Sequence, residues 1–129
     1  MKRTGLALLL LAAAVTQPSR ADDSRFDAIL QRIDPSERLE QVCEYAALTK
    51  IGHDRAYRPD RVIMDSVSPA KVNGDSMTGS GAALRSRGKW YQFEFTCKAT
   101  PDRLKVESFS YRLGAAIPEG QWDKFGLWR

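Results

Sequence analysis

The sequence predicts an α+β protein: helices packed on a four-stranded antiparallel meander sheet, with a short C-terminal helix. Three observations point there. Apolar residues recur at helical spacing in two stretches before Gly52. From Arg61 onward the chain turns to β-branched and aromatic residues punctuated by Asn-Gly, Arg-Gly and Pro-Asp pairs, as antiparallel hairpins require. One of the two cysteines falls on a predicted helix and the other on a predicted strand, so a bond between them would clip helix to sheet.

The first 21 residues stand apart. Lys2 and Arg3 are followed by an unbroken apolar run from Leu6 to Val15, and Ser19-Arg20-Ala21 puts small residues where a signal peptidase reads. The run is too short to span a bilayer. Residues 1–21 are therefore expected to be a cleavable secretory signal, and residues 22–129 a single exported α+β domain. Lys2, Arg3 and Arg20 leave with the signal, so the 20 basic residues fall to 17 against 16 acidic ones, a net charge of +1 rather than +4. A near-neutral domain gives no global case for nucleic-acid binding. No second apolar stretch is long enough for a membrane helix, so none is expected after cleavage.

Ser24 is a candidate cap for a short first helix, whose face carries Phe26, Ile29, Leu30 and Ile33. Asp34-Pro35-Ser36-Glu37 opens a second helix: Asp34 suits the N-cap, Pro35 the first turn, and Glu37 can reach back to the cap. Leu39, Val42, Cys43, Ala46 and Ala47 share its inner face, and Gly52 is the expected stop. Strands follow at Arg61–Val67, Met77–Ser86, Trp90–Ala99 and Leu104–Leu113. Asn73-Gly74, Arg87-Gly88 and Pro101-Asp102 supply turns. The third strand is the clearest. Tyr91, Phe93, Phe95 and Cys97 take one face, and Gln92, Glu94 and Thr96 the other. Pro118 opens a terminal helix with Trp122, Phe125 and Trp128, a set that reads as a core plug unless its rings are exposed.

In an oxidising compartment Cys43 and Cys97 are expected to pair. They close a loop of about 55 residues, for which the chain-entropy model gives roughly 4 kcal/mol. The two form no C-x-x-C motif, so a redox role is disfavoured.

Little else suggests chemistry. His53, the one histidine, has no second histidine or spare cysteine to share a metal with, and reads as solvent-exposed. Gly79-Ser80-Gly81 lacks the features of a nucleophile elbow and reads as a close backbone approach. Glu94 and Glu107 on neighbouring strands are conceivable as a carboxylate pair, with solvation of an open sheet face as the simpler reading. The most distinctive surface candidate is the hairpin of Arg85, Arg87, Lys89, Trp90 and Tyr91, with Arg58 and Arg61 able to extend it. Guanidinium groups bind carboxylate or phosphate in a fork, and aromatics add flat contact area. The alternative is a charged turn that keeps a hairpin end soluble, with Trp90 lying over the sheet.

Several segments resemble one family: Arg38-Leu39-Glu40-Gln41 with Cys43, Arg58-Pro59-Asp60-Arg61-Val62, Gly81 to Cys97 (GAALRSRGKWYQFEFTC), Ser108 to Gly114 (SFSYRLG), and Ile117-Pro118 with Trp122. Together they resemble the bacterial family catalogued as domain of unknown function 930, from roughly Asp34 to Trp128. The resemblance implies export from a Gram-negative cell and supports the Cys43–Cys97 pair. It brings no activity, cofactor or catalytic residue.

The expectation is thus a periplasmic or secreted, non-catalytic binding or accessory module of the cell envelope. Its partner would be an envelope protein or an anionic envelope component, with no cofactor, metal or nucleic acid. The alternatives are a small carboxylate-dependent hydrolase, or an inhibitor or chaperone of an exported protein that pairs through a sheet edge.

Overall fold

The structure, a computed structural model, describes residues 20–129, with side chains from residue 24 onward. The predicted signal lies outside the described residues except for its last two, which open the first helix. Two helices precede a five-stranded antiparallel sheet, and two short 3-10 turns close the chain.

Helix α1 spans Arg20–Gln31, so Ser24 lies inside it rather than at its cap. Helix α2 spans Pro35–Gly52. Its entry is fixed by Asp34, whose Oδ1 accepts from Ser36 N–H at 2.8 Å and from the Ser36 hydroxyl at 2.6 Å. Ser36, not Glu37, engages the cap, because its hydroxyl sits two residues away with no chain to extend. Arg38 ties the helices together: its Nε donates to Leu30 O and Ile33 O at 2.8 and 3.0 Å. Leu39, Val42, Cys43, Ala46, Ala47 and Ile51 form the buried stripe. No described helix is long and apolar enough to cross a membrane.

The strands are β1 (Pro59–Ile63), β2 (Lys71–Asn73), β3 (Ser76–Ser86), β4 (Lys89–Ala99) and β5 (Val106–Ala116). Their order is β1-β3-β4-β5, with β2 also paired to β3. The expected four strands are therefore five, and the layout departs from a simple meander. β1 lies opposite Ala83–Ser86 and β2 opposite Ser76–Thr78, so the two share one edge of β3. β2 escapes sequence reading because three exposed residues carry no periodicity. The loop between them packs on the β3 bulge, where Val67 N–H donates to Gly81 O at 2.7 Å. Arg87 (φ 52°) and Gly88 (φ 77°) make the tight β3–β4 turn, whose positive dihedrals match strand twist.

The sheet carries a hydrophobic cluster on each face. The larger joins α2 to Met77, Ala82, Leu84, Phe93, Phe95, Cys97 and Phe109. Cys43 and Cys97 are bonded there, with Cα atoms 6.0 Å apart, which fastens α2 to β4. The smaller, on the opposite face, comprises Ala83, Trp90, Ile117, Trp122 and Leu127. It is closed by the C-terminal segment, which forms 3-10 turns at Glu119–Gln121 and Asp123–Phe125 rather than the predicted helix. The left-handed Gly126 (φ 69°) follows and turns Leu127 inward.

Candidate functional site

The hairpin end of the sheet gathers most of the predicted contact residues but divides them into two groups. Arg85 projects from β3 on the face covered by the C-terminal segment. Its Nε and Nη2 donate to both carboxylate oxygens of Asp60, at 3.0 and 2.9 Å. Its guanidinium lies 5.8 Å from the ring centroids of both Trp90 and Trp128. The hydrogen bonds from Arg85 hold the Asp60 carboxyl below its ordinary pKa of 3.8. Trp90 is fully buried, and its Nε1 donates to Trp128 O at 2.7 Å. Ser66 fixes the next stretch through Phe125 O at 2.8 Å, and Trp122 Nε1 donates to Ile117 O at 2.9 Å.

Two of the predicted contact residues are engaged within the fold. Trp90 has no exposed surface to offer a partner, because alternation along β4 places it on the face opposite Tyr91, where the C-terminal segment covers it. Arg85 is engaged by Asp60 and two indoles. Both clasp the C-terminal segment. Tyr91 is half-buried on the helix face and packs edge-on to Tyr57, with centroids 5.2 Å apart.

The other four cations remain in solvent. Arg58, Arg61, Arg87 and Lys89 are exposed and form no ion pair within the described residues. β-pairing brings them together: Pro59 lies opposite Ser86 and Ser86 opposite Lys89, while Arg58 N–H donates to Ser86 Oγ at 2.8 Å. Arg61 Nη1 donates to its neighbour's carbonyl, Asp60 O, at 2.7 Å. Lys89 also borders a depression of about 540 Å³ between the turn and the C-terminal segment, lined by Gly88, Ile117 and Trp122 and flanked by the Glu119–Arg129 ion pair. The result is a basic end whose neighbouring carboxylates among the described residues, Asp60 and Glu119, are engaged by Arg85 and Arg129.

The suggested carboxylate pair does not converge. Glu94 accepts from Arg112 on the next strand at 2.6 Å, whereas Glu107 faces Lys98 at 3.6 Å. Glu94 and Lys98 are four residues apart on one strand, roughly 13 Å. Each carboxylate is neutralised by a separate cation, so they do not form the facing pair that glycoside hydrolysis needs. His53 is exposed just beyond α2. Ser80 lies at the β3 bulge, as its flanking glycines suggest.

Two features escaped the sequence. The uncovered half of the sheet is a shallow trough of about 590 Å³ whose floor crosses four strands, Lys71–Thr78–Thr96–Ser110 in register. Only the register aligns these scattered residues. On α2, Glu40 and Glu44 lie one turn apart and face Asp65 from the loop after β1. Burial, then Glu40, then Asp65 push the Glu44 carboxyl up to about 7. The Glu40–Glu44 spacing was readable, but the approach of Asp65 was not.

The family model for the Domain of Unknown Function (DUF930) matches residues 30–127. No curated protein and no solved structure matches the chain.

Proposed function

The chain belongs to the DUF930 family, and for this member we propose a non-catalytic binding or accessory module of the cell envelope, exported to the periplasm. The basic end carries this reading: Arg58, Arg61, Arg87 and Lys89 gather around the β3–β4 turn and the start of β1, exposed and in no ion pair among the described residues. Charges that are neither buried nor paired are poor stabilisers of a fold but are well placed to meet an outside anion. The partner would be an anionic envelope component or an acidic patch of an envelope protein. The Cys43–Cys97 bond suits an oxidising compartment. The charged, apolar and small-residue pattern of residues 1–21 supplies the route.

In-cell crosslinking and pull-down test this, with wild type beside an Arg87→Glu, Lys89→Glu variant. Arg85 is left alone because it holds the C-terminal segment. A partner captured by wild type and lost from the folded variant, with capture falling as salt rises, supports the reading. Equal capture by wild type, by this variant and by one that also carries Arg58→Glu and Arg61→Glu removes the basic end as the contact surface.

A further inference from the structure

β5 is the last strand of the sheet, eleven residues long, with no described strand on its outer side. The hydrogen bonds around β4 show which way its backbone faces. Ala99 N–H donates to Asp75 O at 2.8 Å, toward β3, and Trp90 O accepts from Ile117 N–H at 2.8 Å, toward the β5 side. Odd residues of β4 therefore turn to β3 and even residues to β5. Through the rungs Glu94–Arg112, Thr96–Ser110 and Lys98–Ser108, the even residues of β5 bond inward, and Phe109, Tyr111 and Leu113 present their backbone groups outward. Lys50 agrees, since its Nζ reaches Phe109 O from α2 at 3.4 Å.

Edge strands are commonly protected by proline, charge or cover. β5 contains no proline, its Arg112 is already paired with Glu94, and Lys50 caps one carbonyl. The outward backbone groups of Tyr111 and Leu113 have no partner among the described residues. Tyr111 and Leu113 also extend the larger hydrophobic cluster to this edge, half-buried.

The strand is self-complementary about Tyr111. If a second copy is laid antiparallel with the two Tyr111 residues opposed, Phe109 meets the partner's Leu113, Ser110 meets the partner's Arg112, and Ser108 meets the partner's Gly114. Apolar groups face apolar ones, and no like charges are directly opposed. Phe109 O, which already accepts from Lys50, retains a second lone pair for the partner's Leu113 N–H. We infer that two copies of this chain pair through β5, antiparallel about Tyr111, into one continuous sheet. This interface lies apart from the basic end and does not depend on it.

Sedimentation velocity over a range of protein concentrations reads the dimer. Wild type should shift from monomer to twice the mass as concentration rises. Tyr111→Lys alone and Tyr111→Glu alone should each stay monomeric, because like charges then oppose across the two-fold. An equimolar mixture of the two should recover the dimer, which also shows that both variants fold. Independently, amide exchange in wild type should slow by about tenfold at Tyr111 and Leu113 on concentrating the sample, with Ser110 and Arg112 unchanged. A wild type that stays monomeric throughout, charge variants that dimerise as well as wild type, or outward amides whose exchange ignores concentration would each overturn the inference.

Discussion

Replacing Glu44 by Gln should stabilise the protein at pH 8 and leave it nearly unchanged at pH 5. The folded carboxyl titrates near 7 against an ordinary 4.5, chiefly because the half-buried side chain is desolvated, then because Glu40 and Asp65 repel it. A folded pKa raised above the unfolded one means that the folded state holds its proton more tightly. Stability from this group is therefore complete below about 4.5 and declines as pH rises toward 7, where the folded protein must carry the charge. At 1.36 kcal/mol per pH unit the gap sets a ceiling of roughly 3 kcal/mol. The side chain keeps contact with water, and screening reduces the figure to about 1–2 kcal/mol. Gln fills the same space without the charge. Urea unfolding of wild type and Glu44→Gln with the disulfide intact, at pH 5 and pH 8, measures the effect. Asp34, Asp60 and Asp102 have lowered values, so their stabilisation is lost only as pH falls below the ordinary 3.8, outside this window. A difference between wild type and variant that is the same at both pH values would refute the reasoning.

Three further outcomes follow from the geometry. Replacing Cys43 and Cys97 by Ser should cost roughly 4 kcal/mol in chemical denaturation, since the bond spans 54 positions and ties α2 to a central strand. Arg85→Ala should admit quencher to Trp90 and Trp128 and red-shift tryptophan emission, while far-UV circular dichroism is retained. Gly81→Ala should cost about 1–3 kcal/mol by thermal melting, because its Cβ would collide with the backbone of Ser68, whose Cα would be 2.9 Å away. Gly120→Ala, with nothing within 4 Å, should stay within about 0.5 kcal/mol.

How much was legible depended on how far each signal had to travel along the chain. The entry of α2 is local chemistry between Asp34 and Ser36. β4 alternates so cleanly that its two faces can be assigned by eye, and the same alternation already puts Trp90 on the face of Gln92 and Glu94. What covers Trp90 is set by Ile117, Trp122 and Leu127, and no spacing rule places them there. Arg85 illustrates the same limit. Its place in the hairpin is readable, but its partner is not, because Asp60 arrives from β1, 25 positions earlier. Arg87 stays in solvent because a tight turn exposes its own residues, and Arg58, Arg61 and Lys89 are exposed around the starts of β1 and β4 beside it.

A sheet with a separate hydrophobic cluster on each face need not melt as one unit. The helix-side cluster is anchored by the disulfide and by α2, while the other is held by the Arg85 clasp and a handful of bonds from residues 117–128. Releasing the second side exposes Trp90 and Ala83 but breaks none of the strand ladder, so it can open as a small cooperative step beneath global unfolding. The amides of residues 121–127 should then report a lower opening free energy than those of β4. The protein would have two stabilities, one for each face of the same sheet.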